Sequence, residues 1–120
     1  MANPQKRKGD AAERELAALL NQALLVHGIE VFCERALGAG RKQDTGDIFG
    51  LRDHTIQVAN WADTAAAARI KPIEADMQRE NARANFASTF IRFRGGGWRA
   101  VLTIEQWARL AALQQQEAMP

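Results

Sequence analysis

Two strand-forming segments, residues 47–51 and 55–60, lie three residues apart, and that spacing constrains this chain more than any other feature. Arg52-Asp53-His54 between them leaves room only for a hairpin turn, so the two segments pair antiparallel. Gly46-Asp47-Ile48-Phe49-Gly50 opens the first strand and Ile56-Gln57-Val58-Ala59-Asn60 lies on the second. Successive side chains of a strand point to opposite faces. The β-branched Ile56 and Val58 are expected to face a core, and Gln57 and Ala59 a cleft. The hairpin then brings Asp47 near Gln57.

The 120 residues suffice for one hydrophobic core. With 47% hydrophobic and 25% charged residues, the composition is that of a globular protein. No apolar run is long enough to span a bilayer, and the polar, basic start does not read as a secretory signal. Cys33 is the only cysteine, which excludes an intrachain disulfide and suits a reducing cytoplasm. One cysteine and two separated histidines, His27 and His54, make a poor structural zinc set. The net charge of +2 says little about partners, but the cations are clustered. Lys6-Arg7-Lys8, Arg41-Lys42, and Arg92, Arg94 and Arg99 form three groups. Any one group is ordinarily solvated surface; three in a small domain point to phosphate contact.

The chain divides into a flexible basic arm (1–8), a single domain (9–113) and a frayed tail (114–120). Apolar periodicity predicts a first helix over 11–26, with Asp10 as N-cap, Glu13 in the capping-box position and Gly28 as terminator. A strand is expected over 29–37 and a polar loop over 38–46. An alanine-rich helix over 61–70 is expected to stop before Pro72, which opens a second, polar helix over 73–85. Strands follow at 86–93 and 98–102. A last helix over 104–115 is capped by Thr103 and Gln106 and carries an apolar stripe of Trp107, Leu110 and Leu113. Trp98 and Trp107 are expected in the core.

Hydrolysis of a phosphodiester needs a nucleophile beside a crowded anion and relief of charge on oxygen. Hard carboxylate ligands holding Mg²⁺ at a cleft meet that need. Simpler roles exist for each residue: Glu13 as a capping partner, Asp47 as a turn residue, Gln57 as a spectator. Taken together, Lys8-Gly9-Asp10-Ala11-Ala12-Glu13-Arg14-Glu15-Leu16, Gly46-Asp47-Ile48 with Gly50, Ile56-Gln57-Val58, Gln78 and the basic hairpin 90–102 resemble the PD-(D/E)XK nuclease superfamily. Within it, they resemble the small Holliday junction resolvase-like group of bacteriophage type.

The resemblance implies an α/β, restriction-endonuclease-like mixed β-sheet flanked by helices. It implies a structure-selective endodeoxyribonuclease of DNA recombination, active as a homodimer on branched DNA in the host cytoplasm. It implies Mg²⁺ or Mn²⁺ held by Glu13, Asp47, Gln57 and the Val58 carbonyl. Gln57 stands where the family has glutamate, and Ala59 where it has lysine. The first change removes a negative charge and lowers metal affinity; the second removes a charge stabiliser typically worth about 100- to 1,000-fold in rate. Arg69 or Lys71 from the following element, or Arg41 or Lys42 from the loop, are the available replacement cations; Lys71 joins Glu13, Asp47 and Gln57 as a catalytic candidate. Lys6, Arg7, Lys8, Arg41, Lys42, Gln78, Arg92, Arg94 and Arg99 are candidate DNA contacts, and Asp44 is a reserve ligand. Restoring the family pair by Gln57→Glu with Ala59→Lys is expected to raise activity. Two rival readings are a catalytically silent DNA-binding module and an interaction protein with no nucleic-acid role.

Overall fold

The computed structural model describes the backbone of residues 4–36 and 44–119, with side chains from residue 9 onward. The described elements are α1 (Pro4–Val26), β1 (Glu34–Arg35), β2 (Ile48–Phe49), β3 (His54–Ala59), α2 (Thr64–Ala82), β4 (Phe86–Arg92), β5 (Trp98–Val101) and α3 (Ile104–Ala118). The strands form one mixed sheet in sequential order. Only β3 and β4 run parallel, in register from His54↔Phe86 to Ala59↔Ile91, as α2 crosses over between them. A mixed sheet flanked by helices was expected, and the described residues form one.

The two faces of β3 separate the core into halves. Leu16 and Ala17 of α1 pack on Cys33, Ile48 and Ile56, with Val58 and Phe90 beside them. On the other face Ala59 packs with Ala67 of α2 and Ile91 of β4. Helices α1 and α2 therefore cover opposite faces of the sheet.

Four expectations are corrected. First, α1 starts at Pro4, seven residues before the expected start and inside the supposed arm. Proline suits a first turn because its missing N–H would have had no partner there. Asp10 thus lies within the helix, and its carboxylate pairs with Arg35 at 2.8 Å instead of capping. At the other end Gly28 does terminate the helix: at φ +81 it lets Ile29 N–H reach the Leu24 carbonyl at 3.0 Å.

Second, the expected strand over 29–37 shrinks to two residues. Asn21 of α1 takes both backbone groups of Cys33, accepting from its N–H at 2.7 Å and donating to its carbonyl at 3.1 Å. Those groups are satisfied without a ladder. Strand β2 is equally short, and it ends where the chain runs against 32–33. Gly50 has φ +117, and a Cβ there would lie 2.4 Å from the Phe32 carbonyl oxygen. Gly50→Ala is therefore expected to cost about 3 kcal/mol or more, from backbone strain and a clash with main chain. A urea titration reads this as a lowered midpoint at unchanged slope.

Third, α2 does not break at Pro72. An interior proline costs about 3 kcal/mol in isolation. Pro72 is buried, however, and its carbonyl accepts from Gln106 Nε2 at 2.7 Å, so tertiary packing carries the helix through. Asp63 caps the N-terminus by accepting from Ala66 N–H at 2.9 Å.

Fourth, α3 runs through Ala118, past the expected onset of fraying. Its N-terminus is as expected: Thr103 and Gln106 form both bonds of a capping box. Trp107 is not core; it is 62% exposed, and Ile104, Leu113 and Met119 are exposed with it. Trp98 is half-buried, with its indole N–H donating to Glu15 at 2.9 Å. Among the described residues no helix is long and apolar enough to cross a membrane.

Candidate functional site

Asp47 sits in a bend just before β2, where the backbone is tied on both sides. Its N–H donates to the Ile56 carbonyl and its own carbonyl accepts from Ala36 N–H, each at 2.8 Å. Gly46 permits this close path: at φ +110, a Cβ would stand 3.1 Å from Thr55 Cγ2 and 3.2 Å from the Ile56 carbonyl. The Asp47 side chain then takes the next ladder position, accepting from Val58 N–H at 2.8 Å. That hydrogen bond holds one carboxylate oxygen against β3. Burial pushes its pKa up to about 6, and Glu13 and Asp44 push in the same direction, against the Val58 hydrogen bond and the Lys71 charge.

Asp47 opens onto a cavity of about 500 Å³, whose lining includes Glu13, Asp44, Gln57, Val58, Lys71 and Glu74. Met77, Gln78 and Asn81 complete the wall. Glu13 enters from α1, and its carboxylate accepts from Arg35 Nε at 3.3 Å. Burial raises its pKa; the Arg35 hydrogen bond and charge oppose that, and Asp10 reinforces it. Gln57 points from β3 toward α2, with Nε2 donating to Glu74 Oε2 at 3.2 Å. Lys71 Nζ meets the same Glu74 oxygen at 2.9 Å and lies 5.1 Å from the Trp61 ring centre. Gln78 Nε2 donates to Asp44 Oδ2 at 2.6 Å, and Asn81 Nδ2 donates to the Asp44 carbonyl at 3.0 Å.

The expected set Glu13, Asp47, Gln57, Val58, Lys71 and Gln78 is therefore brought together on one cavity. Of the four replacement cations, Lys71 lines it. Arg69 lies on the same helix and does not line it. Arg41 and Lys42 lie outside the described residues, as do the side chains of Lys6, Arg7 and Lys8. Arg92 and Arg94 line a different cavity, and Arg99 lines neither.

Ala59 was expected to face the cleft. It is 1% exposed and packed among Ala67 and Ile91, clear of the cavity lining. A lysine there would have to thread a filled core, an overpacking typically worth about 1–3 kcal/mol. The expectation for Ala59→Lys is corrected accordingly.

Sequence reasoning did not single out Glu74, Asn81 or Arg35. Lys71, Glu74, Gln78 and Asn81 recur at intervals of three, four and three residues, the repeat of one helical face. That signal becomes visible once Pro72 is not read as a boundary.

Apart from the Met77 thioether, the donors of the described lining that could meet a cation are oxygens, which suits Mg²⁺ or Mn²⁺ over softer metals. Gln57 and Gln78 are 3% and 4% exposed, and the amide oxygen of each has no hydrogen-bond partner among the described residues. Buried acceptors left in this state are costly unless a ligand meets them. Among the described residues, no three His, Cys, Asp or Glu side chains are grouped so as to hold one ion. A cation here would draw on amide oxygens as well as carboxylates.

Comparison of the chain with protein-family models, with curated proteins and with solved structures finds no match.

Proposed function

We propose that this protein is a metal-dependent endodeoxyribonuclease of the PD-(D/E)XK kind, acting on branched DNA. The observation that carries the reading is the convergence on one cavity of Glu13, Asp47, Gln57 and Lys71, from α1, the bend before β2, β3 and α2. Asp47 and Glu13 supply negative charge, and the Gln57 and Gln78 amide oxygens and the Val58 carbonyl supply neutral oxygen. A bound Mg²⁺ or Mn²⁺ would supply polarisation of a phosphodiester oxygen. Lys71, held by Glu74, supplies the fixed positive charge that position 59 lacks. Gln57 anchors Glu74 by donating to it, so the carboxylate missing from β3 is present on α2. A homodimer belongs to the same proposal, since a four-way junction presents two scission points.

A second reading, a silent DNA-binding module, is favoured by one observation: the carboxylates do not form a group of three among the described residues. Four-way junction and linear duplex DNA, incubated in Mg²⁺ or Mn²⁺, separate the two. Cleavage of the junction that is lost in Glu13→Ala and Asp47→Ala supports the enzyme. Salt-sensitive binding without cleavage supports the silent module. Absence of binding even at low salt removes both.

A further inference from the structure

Beyond the carboxylate site, a second cavity of about 410 Å³ opens at the C-terminal ends of the parallel strands β3 and β4, beside the start of α2. Asn60, Trp61, Thr64, Arg92, Phe93 and Arg94 line it, and among the described residues no carboxylate does. Its volume lies within the roughly 300–1,000 Å³ of small-ligand sites.

The charge here is available for a ligand. Arg94 is exposed and makes no ion pair among the described residues. Arg92 meets Glu15 at a long 3.4 Å. Asp63, the nearest acid in sequence, is turned to the Ala66 N–H. Trp61 is 37% exposed and carries Lys71 at 5.1 Å from its ring centre. Lys71 lines the first cavity and Trp61 the second, so this contact joins the two. An exposed indole beside two guanidiniums offers a stacking surface and an anion clamp together.

We infer that this cavity takes an unpaired nucleotide of a DNA strand, its base against Trp61 and its phosphate on Arg92 and Arg94. Paired bases are already stacked in a duplex and have no face to give the indole, so the site selects single-stranded segments. The inference rests on the proposed nuclease reading only in taking DNA as the ligand. The strand would run from this cavity past Trp61 to Lys71 and the carboxylates.

The test measures binding of a labelled oligothymidylate and of a duplex to the full chain by anisotropy, and cleavage of a four-way junction in Mn²⁺. Trp61→Ala and Arg94→Ala are each expected to weaken oligothymidylate binding about tenfold, the usual scale of one lost base stack, and Trp61→Phe to retain most of it. Tryptophan fluorescence quenched by the oligonucleotide is expected to stay unquenched in Trp61→Phe, although Trp98 and Trp107 remain. Unchanged oligothymidylate binding in folded Trp61→Ala and Arg94→Ala overturns the inference, and leaves the nuclease reading intact if junction cleavage persists. Single-strand binding that depends on Trp61 without any cleavage supports the inference and removes the nuclease reading. Absence of oligothymidylate binding by the parent protein overturns the inference.

Discussion

On the proposed nuclease reading, Asp47→Asn is expected to lower cleavage of junction DNA sharply and, without metal, to make the protein more resistant to unfolding at pH 8. The two effects share one cause. Asp47 has an ordinary pKa of 3.8, and burial lifts it to about 6 in the fold. A carboxyl whose folded pKa is raised gives stability that is fully present below the unfolded value and lost as pH rises through the folded one. The parent protein should therefore lose stability between pH 4 and pH 7. The rise corresponds to an upper bound of about 3 kcal/mol, and residual solvent contact brings the expected gain in Asp47→Asn to roughly 1–2 kcal/mol at pH 8. Asparagine still offers Val58 N–H an acceptor, so the backbone contact survives. Added Mn²⁺ should stabilise the parent and not the variant, and protons should compete with the metal below about pH 6. Cleavage should fall by at least about 100-fold. Urea melts at pH 5 and pH 8, with and without Mn²⁺, read the whole set. A variant less stable than the parent at pH 8 would place the Asp47 carboxylate in a purely structural role.

On the proposed nuclease reading, Lys71→Met is expected to cost about 100- to 1,000-fold in cleavage rate with little loss of DNA affinity, because Lys71 is the one cation that lines the carboxylate cavity among the described residues. Its neighbours carry a related expectation. Gln57→Glu, which brings in the residue type of the superfamily the sequence resembles, should lower activity relative to the parent, since it sets a second carboxylate against Glu74 at a contact now 3.2 Å long. Exchanging the two, Gln57→Glu with Glu74→Gln, keeps both the charge count and the hydrogen bond and should recover a large share of the parent rate. Single-turnover kinetics separate these effects from binding. Equal rates for Gln57→Glu and the exchanged pair would mean that Glu74 contributes no charge to the reaction.

The parts of this fold legible in the sequence are those set by local chemistry. Gly28, the Thr103–Gln106 capping box and the antiparallel pairing of β2 with β3 depend on residues close in sequence, and each takes its expected form, whereas Ala59 at the end of β3 is buried in the core and does not face the cleft. The parts that were not legible depend on distant partners. Asn21 replaces the ladder that residues 29–37 were expected to make. Arg35 recruits Asp10 away from a capping role. Burial of Pro72 overrides its usual break and keeps Lys71 and Glu74 on one helix. The candidate site was half visible for the same reason. Glu13, Asp47 and Gln57 could be placed by motif spacing, whereas Glu74 and Asn81 share a face only in an unbroken α2.

The Gln106 contact has a consequence for where sensitivity to mutation should lie. One glutamine closes the first turn of the last helix and also grips the carbonyl of Pro72, which follows Lys71 and lies two residues before Glu74 on the cleft wall. A disturbance at the far end of the chain is thereby passed along main chain to the turn that aims the ammonium and the carboxylate. The C-terminal helix acts as a brace, and slackening it should blur the alignment of groups that it never touches.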